Sequence, residues 1–276
     1  MSDFQRYAED LKEFTELVER ATQYSRFTAM TYTEDRKQYL ASVLFVGVVL
    51  RGRSLLRLIP GSEWHPRETG QLDLPSIAAV ARSFAEACQM FYYLGVESVG
   101  QDVWSARFAA ARLHSLVERR AMFRRLGEGG RADDREITQY IEKFRTELKG
   151  NTYFATLDER ERNKCLESGA TTVGTTSLEV AEHFLGDRDL ARFTHKWLSS
   201  YTHQHPFAFL SASMERGRGV ENKEEAGLIA VILSTSKSYL RPACTYYEDQ
   251  FPELRAFVQD TIERVVRESS KRNRTP

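Results

Sequence analysis

Four stretches of the chain put polar side chains where helical periodicity calls for apolar ones, and each suggests a chemistry. In RFAAARLHSLVE, Arg107 and His114 stand seven residues apart, almost two helical turns, so both project from one face with Glu118 a turn beyond. An arginine fork can hold a phosphate while an imidazole beside a carboxylate gives or takes a proton near neutral pH. The competing reading is that Glu118 simply pairs with His114 on a packed or solvated face. In ARSFAEAC, Arg82 and Glu86 have the i,i+4 spacing of an ion pair that either satisfies itself or serves as a binding pair. In WLSSYTHQHPF, Ser199 and Ser200 precede His203 by four and three residues, so a hydroxyl can reach the imidazole, and Tyr201 precedes His205 in the same way.

Some chemistries are set aside at this stage. No G-x-S-x-G elbow surrounds Ser199 or Ser200, so a serine nucleophile is not expected. His203 and His205 have no CxxC or HExxH beside them, so neither a metal site nor any other cofactor is expected. The fourth stretch is basic: Arg107, Arg112, Arg119, Arg120, Arg124, Arg125, Arg131 and Arg135 face only Glu118, Glu128, Asp133 and Asp134. Such a ridge can track a phosphate backbone, and it is equally what a solvated helix face looks like. The catalytic expectation therefore falls on Arg107, His114 and Glu118. The binding expectation falls on Arg82, Glu86, Ser200, His203, Arg112, Arg119 and Arg120.

The elements that must position these residues read as helices throughout. Phe4, Tyr7, Leu11, Phe14, Val18 and Ala21 recur at steps of three and four, predicting an amphipathic helix over about 3–29. A second helix is expected over about 35–59, apolar around most of its circumference from Tyr39 and stopped by Pro60-Gly61. Pro75 opens a third that runs to about Glu97; a fourth spans Gln101 to Leu126. The glycine-rich GEGGRADD that follows is a long helix-helix loop or a domain boundary. Further helices are expected over 137–148, 159–167, 177–185 and 189–203, with a long one from about Asn222 that Pro242 should kink or split, and a last one from Pro252. No run pairs with hairpin chemistry. The expectation is an all-α fold: a single multi-helix bundle of about eight to ten helices over 1–270, with a possible subdivision near 127–134 and a disordered basic tail over 271–276.

Composition narrows the class of partner. The 276 residues are 41% hydrophobic and 28% charged, which suits a folded globular chain. Lysine plus arginine and aspartate plus glutamate both number 39, so any attraction to nucleic acid or an anionic membrane must be local. Cys88, Cys165 and Cys244 are few, far apart and set in helical patterns, which suits buried thiols in a reducing compartment. The first residues lack a basic segment followed by an apolar one, so a cytoplasmic location is expected. The apolar run from Tyr39 to Leu50 is closed by Arg51 and Arg53, short of the ~20 residues that span a bilayer, and reads as a core helix with no membrane partner.

The segments YLASVLFVGVVLRGRSLLRLIP, ARSFAEACQMFYYL, RFAAARLHSLVERRAMF and LSSYTHQHPF resemble a family of bacterial helical proteins known as a domain of unknown function, over most of residues 35–240. More distantly, the chain is similar to the HEPN superfamily, helical bundles that often dimerise and many of which cut RNA without metal through an R-x4-6-H motif. Arg107 and His114 match that spacing at its upper limit; Phe108 departs from the polar residue usual after the arginine. The resemblance implies binding of RNA or nucleotide, metal-independent ribonuclease chemistry, a role in bacterial defence or stress response, and a homodimer. The residues alone leave a second class open: a non-enzymatic interaction or scaffold module that meets a protein partner and whose polar pairs fix helix register.

Overall fold

The structure is a computed structural model that describes residues 3–29, 33–65, 73–127, 132–202, 206 and 223–257. Among the described residues it is all helical, with no strand: α1 (Asp3–Thr28), α2 (Arg36–Leu58), α3 (Leu74–Met90), a π turn (Phe91–Val96), α4 (Gln101–Arg125), α5 (Ala132–Lys149), α6 (Thr152–Ala155), α7 (Glu159–Ser168), α8 (Ser177–Leu185), α9 (Arg188–Thr202) and α10 (Lys223–Gln250). The expected all-α architecture and helix number hold. The expected tail over 271–276 lies outside the described residues.

Local chemistry sets the helix ends. The Asp35 carboxylate accepts from the amides of Lys37 and Gln38 and starts α2, which stops where Ile59 turns extended ahead of Pro60. Asp73 caps α3 at Ser76, with Pro75 in the first turn. Thr176 and Glu179 form a reciprocal capping box at α8: the Glu179 amide donates to Thr176 Oγ1 at 3.2 Å and the Thr176 amide to Glu179 Oε2 at 2.7 Å. Pro242 does not split α10; Tyr239, Leu240, Ala243, Cys244 and Tyr247 are buried on either side of it and hold the helix as one element.

The chain packs as two compact units, residues 1–96 with 181–276 and residues 97–180. Of the stretch 127–134, residues 128–131 lie outside the described residues; α4 and α5 on either side of it belong to the second unit and pack together. The first unit is built on α1, α2, α3, α9 and α10. Its centre is aromatic: Phe45 of α2 stacks on Tyr247 of α10 with centroids 3.8 Å apart, Phe91 leans on both, and Phe14 meets Phe84 edge to face. α2 is long and apolar enough to cross a membrane by composition, yet Ala41, Phe45, Val48, Val49, Gly52, Leu55 and Leu56 are buried in this core. Gly95 lets the π turn press against α2, since a Cβ there would lie 3.0 Å from the Ala41 Cα.

The second unit has a smaller core, in which Ala106, Ala109, Ala110 and Leu113 of α4 face Ile137, Ile141, Phe144 and Leu148 of α5, closed by Phe154 and Cys165. The chain leaving α7 lies flat against α4. Gly169 has a φ of 68°, and a Cβ on it would fall 2.2 Å from the His114 amide nitrogen.

Candidate functional site

Arg82 and Ser199 are 117 residues apart in sequence, and the crossing of α3 with α9 joins them: an Arg82 Nη1 hydrogen donates to Ser199 Oγ. On its other edge Arg82 Nε donates to Glu86 Oε1 at 2.9 Å. The guanidinium is thus held between a carboxylate on its own helix and a hydroxyl on the next. Arg82 is 22% exposed and Glu86 52%, so the cluster sits at the surface, where the ion pair itself contributes little. Ser199 Oγ donates in turn to the His195 carbonyl, which fixes its lone pairs toward α3. Ser200 is half-buried, and its hydroxyl donates to the Lys196 carbonyl at 3.0 Å within α9. His203, one turn beyond Ser199 by sequence, and His205 lie outside the described residues.

α9 carries an aromatic pair as well. Phe193, 45% exposed, stacks on half-buried Trp197 with centroids 5.4 Å apart and planes at 16°, and Tyr201 meets Trp197 edge to face. By helical spacing Phe193, Trp197 and Ser200 share one face of α9, whereas Ser199 turns toward α3. The i,i+4 spacing of Phe193 and Trp197 is the only sign of this pair in the sequence.

Arg107, His114 and Glu118, the trio expected to be catalytic, lie along α4 in the second unit. Arg107 is 7% exposed, with its Nη1 hydrogen donating to Glu97 Oε2 in a buried ion pair. His114 is half-buried, and its Nδ1 lies 3.3 Å from the Ser168 carbonyl oxygen. Glu118 is exposed, one turn further along α4. Of the three alanines between Arg107 and His114, Ala109 and Ala110 are core residues, which draws the arginine inward with them. Of the basic ridge, Arg112, Arg119, Arg124, Arg125 and Arg135 are exposed and Arg120 is half-buried, while Arg131 lies outside the described residues. Arg112 sits over the Phe144 ring at 5.8 Å and Arg119 over Phe123 at 5.3 Å, so both also pack against rings.

A further polar network, which the sequence did not suggest, joins α10 to α1. Lys237 of α10, 7% exposed, donates to Asp10 Oδ1 and, at 2.8 Å, to Glu13 Oε2 on α1; Arg241 Nη2 reaches the same Glu13 oxygen at 2.8 Å. Burial alone would lower the Lys237 ammonium, but the hydrogen bonds to Asp10 and Glu13 outweigh it and hold it above its ordinary value. The hydrogen bond from Lys237 holds the Glu13 carboxyl below the usual range. Beside this network a groove of about 330 Å³ opens between Glu13, Glu16, Leu17 and Arg20 of α1 and Arg241, Cys244, Thr245 and Glu248 of α10. Tyr24 donates to Glu248 at its end. The sequence signal was Asp10, an acid next to Leu11 in the apolar stripe of α1, but its partner is 227 residues away.

Among the described residues no group of histidine, cysteine and carboxylate side chains is arranged to hold a metal ion. The three cysteines are free and buried; burial pushes the Cys165 thiol up to about 11 and Cys244 to about 12. Comparison of the chain with family models, with curated proteins and with solved structures finds no match in any of the three.

Proposed function

We propose that the chain binds RNA or a nucleotide at the crossing of α3 and α9, with Arg82 as the phosphate anchor. The observation that carries this reading is the meeting of Arg82, Glu86 and Ser199, which gathers two of the polar constellations into one surface cluster. Of the two arginines considered, Arg107 is enclosed with Glu97, whereas Arg82 stands at the surface. A phosphate can compete with Glu86 for the guanidinium, because the Glu86 carboxylate is exposed and an i,i+4 helix pair is worth only about 0.3–0.5 kcal/mol. The Phe193–Trp197 stack on the same helix suits the face of a base, and base stacking on aromatic side chains is a sequence-tolerant source of affinity.

If the site is catalytic, the chemistry is transesterification without metal. Glu86, released from Arg82, takes the proton of the ribose 2′-OH; the 2′-oxygen attacks phosphorus and the 5′-oxygen leaves with a proton. The products are a 2′,3′-cyclic phosphate and a 5′-hydroxyl, and Arg82 stabilises the charge on the phosphate oxygens. His203 is the sequence candidate for the proton donor. The HEPN-like assignment and a role in bacterial defence or stress response rest on the sequence resemblance alone.

The test is fluorescence anisotropy of a labelled single-stranded RNA, with cleavage followed in EDTA. Arg82→Ala is expected to weaken binding by about tenfold or more, the loss of a charged anchor, while its circular dichroism stays that of the parent. Phe193→Ala should weaken it by less. A folded Arg82→Ala protein that binds RNA as the parent does removes the reading. A second reading, a non-enzymatic interaction or scaffold module, has its own observation in the exposed apolar stripe of α2.

A further inference from the structure

Seven exposed residues run in a line along α2: Arg36, Tyr39, Val43, Val46, Leu50, Ser54 and Arg57, spaced 3-4-3-4-4-3. The four in the middle are large and apolar, with 60%, 48%, 43% and 56% of their surface open. The opposite face of α2 is buried in the core of its unit, so this helix has a second apolar face that the described chain does not cover. An exposed leucine or valine alone means nothing; four in register on one helix mark an interaction surface.

Two features say what fits it. The stripe is narrow, one residue wide with steps of four and three, which is the a/d seam that a second helix fills; a membrane-surface helix presents a broader apolar face. The charges give the partner's sign. Between residues 36 and 58 the helix holds Arg36, Lys37, Arg51, Arg53 and Arg57 and no acidic residue. Arg51, Arg53 and Arg57 gather toward the C-terminal end of the stripe, so a second copy laid parallel would set arginine against arginine; the exposed carboxylates Glu34 and Asp35 lie beyond its other end, with Asp35 engaged as the cap of α2. We propose that the outer face of α2 docks an acidic amphipathic helix of a partner protein, its apolar a and d residues on Tyr39, Val43, Val46 and Leu50 and its carboxylates toward Arg51 and Arg57. This inference belongs with the interaction-module reading and does not depend on RNA binding, and its test contains no RNA, so the two fail separately.

The probe is a three-heptad fluorescent peptide with leucine at a and d and glutamate at e and g, run beside a counterpart with lysine in place of glutamate, against the full chain. The acidic peptide should bind and the basic one should not. Val46→Asp, at the centre of the seam, should weaken binding by about tenfold or more, as for the core of an interface, and Val43→Asp should do the same. Both sites are exposed, so the melting temperature should stay near that of the parent. Equal binding of the two peptides, or binding indifferent to both substitutions, overturns the proposal. So does light scattering that finds a dimer which Val46→Asp dissociates, since the occupant is then a second copy. Sedimentation with phosphatidylserine vesicles that Val46→Asp abolishes would assign the face to a membrane and overturn it equally.

Discussion

At the scale of single residues, the chemistry turns on where helical neighbours pull a side chain. Arg82 and Arg107 are both arginines in mid-helix, but Ala109 and Ala110 carry Arg107 into the core of its unit, where Glu97 takes it, while Arg82 stays at the rim of a helix crossing. Sequence spacing placed Arg107 and His114 on one side of α4 and could not say how deep that side lay. Gly169 is a residue whose identity the packing requires. Its left-handed φ and the 2.2 Å approach of a virtual Cβ to the His114 amide leave no room for a side chain. Gly169→Ala is expected to destabilise the chain by about 1–3 kcal/mol through strain and displacement of the turn from α4, read as a lowered urea midpoint. An unchanged midpoint would mean that the turn moves freely.

At the scale of elements, most of the fold was legible because apolar spacing and end signals agree: Asp35, Asp73, Pro75 and Pro60 mark boundaries that the helices respect. Three features were not legible, each for a physical reason. The third helix passes into a π turn at Phe91, where the close approach of Gly95 to Ala41 of α2 is a tertiary constraint with no local signal. Phe4 fits the apolar period of α1 but is 48% exposed. The ion network tying α1 to α10 joins residues more than two hundred apart, and helix periodicity says nothing about such distances. That network gives an element-scale prediction. Lys237→Met leaves Asp10 buried without its ammonium and should cost roughly 2–4 kcal/mol in urea unfolding, somewhat under the figure for a fully buried pair because Glu13 is half exposed. Adding Asp10→Leu to Lys237→Met should recover most of that loss; no recovery would mean that the network contributes through something other than charge burial.

At the scale of the whole molecule, the titratable groups of the α1–α10 network and of the core set a pH window for stability. Glu13 is depressed, so its contribution is present above its unfolded value of 4.5 and is lost as pH falls through its lower folded value. Lys237 is raised, and its contribution is complete below 10.5 and lost at higher pH. Burial likewise pushes Cys244 from 9.0 to about 12 and Tyr247 from 10.0 to about 12, so their contributions also fade as pH climbs above the unfolded values. Urea midpoints should therefore stay level through neutrality, fall below about pH 4.5, and fall again above about pH 9. A midpoint that keeps rising from pH 9 to 11 would contradict this set of directions. The proposed RNA binding falls on one place, the crossing of α3 and α9 around Arg82. Ultraviolet crosslinking of the full chain to a uridine-rich RNA, followed by mass spectrometry of the adducts, maps that place directly. Adducts are expected in peptides from α3 and α9, with Phe193 or Trp197 among the modified residues. Adducts confined to the arginine ridge of α4, or none above an albumin control, would contradict it.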